Sequence, residues 1–182
     1  MTGALEWLGL AVVMGWVGQA LIGSWAGPDV ALGLGLAVGA LTLLARRTRP
    51  LAGLMALMSP LGVMLPALAL RQVAAAWGMP VETIGTWDLV VFLLAYLGFL
   101  ASVLGVVRVD IYRLGYAPAP VAAMVLFVCA YGLWSGTLFL PLVAVLGQAF
   151  WVAGRGSSNW FDHVLHAGLV PVAAVVLMLR IL

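Results

Sequence analysis

The sequence has very little charge. Only 8% of its 182 residues are charged, against about 25% in an ordinary soluble domain. A water-facing surface on a chain of this size needs many more charges, and a disordered segment combines high charge with little apolar content. Because 65% of the residues are hydrophobic, a soluble globular protein and a disordered chain are both excluded. The composition predicts an integral protein of the cell membrane, with the lipid bilayer as its first partner.

Lysine is absent, and cysteine is nearly so. All eight basic residues are arginines, and a net charge of +2 spread along the chain excludes the clustered basic surface that nucleic-acid binding requires. Cys129 is the only cysteine, so an intrachain disulfide and a four-cysteine zinc site are also excluded. No basic residue precedes the first apolar run, unlike in a secretory signal, so we expect that run to be a retained helix.

Charged and turn residues divide the chain into apolar runs, several of which approach the length of about 20 residues that crosses a bilayer. We predict a single domain, an all-α transmembrane bundle of seven spans. The predicted spans cover approximately residues 4–25, 30–45, 51–70, 87–107, 119–135, 138–154 and 159–182. Pro60 and Pro66 predict a kink in the third span. The uncharged stretch 119–154 is divided at Ser135–Thr137, and the count falls to six if its two halves merge.

The arginines test this count through the positive-inside rule. With seven spans, the loops after the second, fourth and sixth spans lie on one side of the membrane. Six of the eight arginines fall in those loops, namely Arg46, Arg47, Arg49, Arg108, Arg113 and Arg155. Merging the fifth and sixth spans would move Arg155 to the opposite side. We therefore predict a cytoplasmic N-terminus and an external C-terminus.

Ionisable side chains inside a bilayer are costly and mark candidate sites. Both histidines of the chain and one carboxylate fall together near the start of the predicted seventh span. Asp162 and His166 are four residues apart, and His163 and His166 are three apart, so a continuous helix would present all three on one face. With Ser157 and Ser158 just before them, these residues form a predicted binding site at the cytoplasmic end of the span.

Three functional interpretations of this cluster stay open. Asp162, His163 and His166 are potential ligands of zinc or iron, for which a further ligand must come from elsewhere. Asp162 with a histidine is a potential proton relay coupled to transport. The imidazoles are also potential ligands of an anionic headgroup or a haem. A purely structural interpretation competes with all three, in which Ser157 or Ser158 caps the helix and the histidines lie at headgroup level.

Other polar residues reach the same side in the predicted topology. Glu6 begins the first span, Asp110 and Tyr112 follow the fourth, and Gln148 lies in the inner third of the sixth. Glu6 and Gln148 join the predicted binding residues because both can approach the last span. Each has a structural alternative. Glu6 could simply be exposed at the membrane interface, and Asp110 could pair with a neighbouring arginine. Gln148 could form a hydrogen bond between helices.

Small residues recur at intervals of four in the first two spans. Ala11 and Gly15 have this spacing, as do Gly35 and Gly39. Such faces let membrane helices approach closely, so we assign them to helix packing rather than to a binding site. Because most predicted loops are short, sequential helices are expected to pack as antiparallel neighbours.

The segment Phe161-Asp162-His163-Val164-Leu165-His166 resembles the seventh helix of the alkaline ceramidase and progestin/adipoQ receptor type of seven-span membrane proteins. Those families carry a His-x-x-x-His pair there, and Asp162 and His166 stand at its two positions. The resemblance implies a zinc-dependent lipid amidase with its metal near the cytoplasmic side. Because two histidines cannot supply the three-histidine site of those families, no catalytic activity is carried over.

The function is predicted only in outline. An enzyme needs a nucleophile or an activated water in a pocket, whereas a binding or transport bundle needs only a few polar groups at a helix break. We expect a bundle that binds or transports a small molecule, a lipid or an ion, and not an enzyme. Two alternatives stay open, a non-catalytic subunit buried among other membrane subunits and an intramembrane metal-dependent lipid hydrolase.

Overall fold

The computed structural model describes residues 3–23 and 25–181, and all regular secondary structure in this part of the chain is helical. The α-helices are α1 (Ala4–Gly23), α2 (Pro28–Leu44), α3 (Arg49–Met58), α4 (Met64–Ala76), α5 (Thr86–Val103), α6 (Pro118–Ser135), α7 (Phe139–Val152), α8 (Trp160–Val164) and α9 (Leu169–Ile181). A short 3₁₀ helix, Tyr112–Tyr116, lies between α5 and α6. The all-α prediction is confirmed for these residues. Ser24 and Leu182, at the ends of two predicted spans, lie outside them.

Several of the helices have the length and composition of membrane spans. α1, α5 and α6 are long and apolar enough to cross a membrane, and α2 with α3 would make a fourth span despite a bend of 99°. α4, α7 and α9 are apolar but shorter, at 13, 14 and 13 residues. The helices thus support an integral membrane protein, while the count of seven spans and the orientation of the termini stay predictions.

Two predicted spans are interrupted. The third consists of α3 and α4, so the kink expected from the prolines is a complete break that contains Pro60. The seventh consists of α8 and α9, and Leu165 after α8 is extended, with φ −94° and ψ 152°. The prediction of a continuous last helix was wrong. Pro171 has no N–H to donate to the carbonyl four residues earlier. A helix tolerates this in its first turn, where Pro171 lies in α9, but not in its interior.

Contacts divide the chain into two compact units, Met1–Val81 and Glu82–Leu182. In the first unit α1 packs along α2 and also contacts α4. A Cβ on Gly15 would lie 2.9 Å from the carbonyl oxygen of Gly35, and one on Gly39 would lie 3.0 Å from that of Ala11. The small residues of the two helices therefore let their backbones meet, as the sequence predicted.

In the second unit, the four longer helices alternate in direction. α6 packs on α7, and α5 packs on α9. Arg180, near the end of α9, donates a hydrogen bond to the carbonyl of Ile84, just before α5. At the opposite end, Ser102 of α5 accepts a hydrogen bond from the N–H of Ile111, which holds the 3₁₀ helix beside the end of α5. The 3₁₀ helix also contacts α8, so this end of the unit brings the two segments together.

Candidate functional site

Asp162 is the centre of a hydrogen-bonded cluster where α8 meets the 3₁₀ helix. Its two carboxylate oxygens accept hydrogen bonds from the Tyr112 hydroxyl at 3.1 and 2.9 Å. One of them also accepts a hydrogen bond from the Ser157 hydroxyl at 2.5 Å. Both donors are uncharged, so they orient the carboxylate without cancelling its negative charge. We call Asp162, Tyr112 and Ser157 the carboxylate cluster.

Asn159 holds α8 in place. Its side chain is fully buried, and Oδ1 accepts a hydrogen bond from the N–H of Phe161, which makes Asn159 the N-cap of the helix. Nδ2 donates to the carbonyl oxygen of Tyr112 at 2.8 Å. The cap is therefore Asn159 and not Ser157 or Ser158, as the structural interpretation supposed. The sequence signal existed, because asparagine is among the strongest N-cap residues.

Aromatic rings pack around the carboxylate cluster. The ring of Phe99 on α5 lies 4.7 Å from that of Phe161 and 6.1 Å from that of Tyr112, centroid to centroid. The rings of Tyr112 and Tyr116 meet edge to face at 5.6 Å. The faces of such rings carry negative potential and favour a nearby cation. The Asp162 carboxylate is thus hydrogen-bonded to one member of an aromatic cluster formed by Phe99, Tyr112, Tyr116 and Phe161.

Tyr112 keeps its proton over the physiological pH range. Burial raises the pKa of its phenol above the ordinary value, and the hydrogen bond to Asp162 together with the charge of that residue raises it further. The hydroxyl therefore remains a hydrogen-bond donor to the carboxylate at neutral pH.

The two histidines do not share a helical face with Asp162. His163 is buried on α8, and its Nε2 donates to the carbonyl oxygen of Ser157 at 2.8 Å. His166 follows the end of α8, and its Nδ1 accepts a hydrogen bond from the N–H of Gly168 at 3.0 Å. The prediction of a common face was wrong because the chain leaves the helix at Leu165.

The cluster does not have the form of a metal centre. Among residues 3–23 and 25–181, no group of three or more His, Cys, Asp or Glu side chains is arranged to hold a metal ion. Asp162 accepts from the hydroxyls of Tyr112 and Ser157, His163 contacts the carbonyl of Ser157, and Nδ1 of His166 accepts from the N–H of Gly168. These residues do not fit zinc or iron, and we derive no metal chemistry from them.

The remaining predicted residues have other roles. The carbonyl of Ser158 accepts a hydrogen bond from the indole of Trp151. Asp110 accepts one from the N–H of Arg113, a local turn within its own loop. Gln148 is half-buried on α7 and makes no hydrogen bond with Asp162 or with the other described residues of the cluster. Glu6 belongs to the first unit, where it accepts a hydrogen bond from the N–H of Gly3.

A second set of polar contacts, which sequence reasoning missed, lies at the other end of the second unit. The carboxylate of Glu82 accepts hydrogen bonds from the N–H groups of Leu138 and Phe139, at the start of α7. Asp88 on α5 accepts one from the hydroxyl of Tyr131 on α6. These contacts join helix ends to one another and leave the carboxylate cluster as the better candidate site.

No protein-family model matches the chain, and no curated protein or solved structure matches it either.

Proposed function

We propose that the protein is an integral membrane protein that binds a small molecule carrying a positive charge, with Asp162 as the counter-ion. The observation that carries the proposal is the carboxylate of Asp162, which is half-buried and held in place by uncharged donors on Tyr112 and Ser157. A carboxylate oriented in this way is prepared to receive a cation. The surrounding aromatic rings favour an organic ammonium group over a strongly hydrated metal ion.

Binding is supported better than hydrolysis. In a Ser–His pair the histidine accepts the serine hydroxyl, whereas the hydroxyl of Ser157 donates to the carboxylate of Asp162. His163, the nearest histidine in the chain, contacts the backbone carbonyl of Ser157 and not its hydroxyl. Ser157 and His163 are therefore not arranged as the Ser–His pair of a serine hydrolase.

The proposal is tested by calorimetric titration of the detergent-purified protein with choline and with 3,3-dimethylbutan-1-ol, its uncharged carbon analogue. We expect choline to bind and the analogue to bind at least tenfold more weakly, because only the charged compound can pair with Asp162. Asp162→Asn should lose this preference. Asp110→Asn, which removes an exposed loop carboxylate from the same unit, is the matched control and should keep it.

Asp162→Asn also weakens the hydrogen bonds that hold α8, so its circular dichroism and elution profile must match those of the unchanged protein. If they do not, Ser157→Ala gives a second test, since it removes one donor but keeps the charge. It should retain the preference for choline over the uncharged analogue. Equal binding of the two compounds by the unchanged protein would refute the proposal.

A further inference from the structure

A groove runs along the packed helices α1 and α2 of the first unit. Its volume is about 330 Å³, at the lower end of the roughly 300–1,000 Å³ that small-molecule sites occupy. Its lining runs from Leu8 to Gln19 on α1 and from Leu32 to Leu43 on α2, with Leu70 of α4 beside them. At 1.5 Å per residue, the lining extends about 16 Å along α1. The groove is therefore long and narrow.

The shape of the groove follows from the glycines that let the two helices meet. Gly15, Gly35 and Gly39 all line it, so backbone forms much of its floor, while larger side chains such as Trp16 and Leu36 form its walls. Close helix packing alone would explain this shape and does not identify a ligand.

Gln19 places a hydrogen-bonding side chain in the otherwise largely apolar groove. The residue is 6% exposed and lines the groove, where Trp16 supplies the other polar side-chain atom. Within the described part of the chain, the Gln19 amide makes no hydrogen bond and is not completely enclosed, so its carbonyl and amino groups are open to a molecule in the groove. Buried polar groups are normally paired, because an unpaired amide in apolar surroundings costs free energy. A ligand that supplies the missing hydrogen bond would remove this cost.

We propose that the groove binds a hydrocarbon chain carrying one uncharged hydrogen-bonding group, such as the hydroxyl of a fatty alcohol. The long, narrow shape suits a single chain, and the lining contains no charged residue that would pair with an ionised headgroup. Gln19 lies at one end of the lined stretch of α1 and Leu8 at the other. The oxygen of the ligand therefore meets Gln19, and its chain extends toward Leu8.

Trp16 provides a local fluorescence probe for this site, because bromine quenches a nearby indole. The detergent-purified protein is titrated with a bromine-labelled 1-alkanol and with the bromoalkane of the same length that lacks the hydroxyl. The quenching of Trp16 itself is the part of the total quenching that disappears in the Trp16→Phe variant. We expect the alkanol to bind roughly tenfold more tightly than the alkane, as one added hydrogen bond predicts. Gln19→Leu should make the two affinities equal.

A pair of variants on α2 tests the location. Ala40→Phe places a ring in the groove without touching the glycine contacts, and it should abolish quenching of Trp16 by both compounds. Ala37→Phe adds the same ring at an exposed position outside the lining and should change nothing. Equal affinity for alkanol and alkane in the unchanged protein would overturn the proposal. The proposal would also be overturned if the unchanged protein were a dimer and Gln19→Leu a monomer, because the groove would then bind a helix from a second copy.

Discussion

A Cβ atom on Gly115 would lie 2.0 Å from Oδ1 of Asn159 and 2.7 Å from the ring of Phe161. The 3₁₀ helix and α8 therefore approach each other at a point where only glycine fits. This approach places the hydroxyl of Tyr112 on the carboxylate of Asp162, although the two residues are 50 positions apart in the chain. The close approach at Gly115 thus brings Tyr112 to the carboxylate cluster.

Gly115→Ala should destabilise the second unit by about 1–3 kcal/mol, the usual cost of adding a methyl group where there is no room. Asn159 cannot give way easily because it is fully buried and caps α8. Chemical unfolding in detergent measures the loss. Gly98→Ala is the control, since a Cβ there meets nothing within 4 Å, and it should leave stability unchanged or raise it slightly. Equal stability of the two variants would contradict the close approach.

Tyr112→Phe should lower the free energy of unfolding by about 1–2 kcal/mol at neutral pH, because Asp162 loses the hydrogen bond that the Tyr112 hydroxyl shares between its two oxygens. The contribution of Tyr112 should also depend on pH. In the unfolded chain its phenol ionises near pH 10, whereas in the folded protein burial and Asp162 raise its pKa. The contribution is therefore complete below about pH 10 and declines as the pH rises further.

The measurement compares unfolding curves of the unchanged protein and Tyr112→Phe at neutral pH and above pH 10. The stability difference between the two proteins should shrink at the higher pH, because the hydroxyl contributes less there. A difference that stays constant across this range would show that the Tyr112 proton is not coupled to folding.

Glu82 should stabilise the start of α7. Its carboxylate accepts hydrogen bonds from the N–H groups of Leu138 and Phe139, which have no partner four residues earlier within the helix. Glu82→Ala should cost about 0.5–2 kcal/mol, the range for a lost N-terminal cap. Hydrogen exchange should become faster at these two amides. Glu82→Gln keeps a hydrogen-bond acceptor and should lose less stability than Glu82→Ala. If the exchange rates of the two amides were unchanged in Glu82→Ala, Glu82 would not be capping α7.

Two glycines of α2 should respond oppositely to alanine. A Cβ on Gly35 would lie 2.8 Å from the carbonyl oxygen of Gly15, so Gly35→Ala should force α1 and α2 apart at a cost of about 1–3 kcal/mol. Gly33 has nothing within 4 Å of that position, so Gly33→Ala should be neutral or stabilising. Thermal unfolding of both variants in the same detergent tests this difference. Similar midpoints would mean that α1 and α2 do not pack through Gly35.

The features of the fold that could be predicted from the sequence are those that depend on residues close together in the chain. The apolar runs 4–25 and 119–135 correspond closely to α1 (Ala4–Gly23) and α6 (Pro118–Ser135), because helix formation within an apolar run is decided locally. The spacing of Gly35 and Gly39 likewise indicated close packing. These are patterns that neighbouring residues specify without knowledge of the rest of the chain.

The site was predicted less well, because its geometry depends on a backbone break and on distant residues. Neither proline nor glycine adjoins Leu165, so the last helix was expected to continue through it. Pro171 was the local signal that it does not. Tyr112 was expected on the same side of the protein as Asp162, but their contact joins the 3₁₀ helix to α8, whose close approach depends on Gly115. Packing between segments that are far apart in the chain produces no periodic pattern in the sequence.

The helices of the second unit predict the side of the membrane on which the C-terminus lies. α7 has 14 residues, or about 21 Å of helix, which is shorter than the roughly 30 Å hydrocarbon core. It can still cross if the bilayer thins locally or if flanking residues reach the interface. Since α5, α6, α7 and α9 alternate in direction, we expect four crossings in the second unit and an external C-terminus. A reporter fused after Leu182 should then be external, while one inserted beside Arg108 should be cytoplasmic. With six spans, the Arg108 reporter would be unchanged and the C-terminal one would become cytoplasmic.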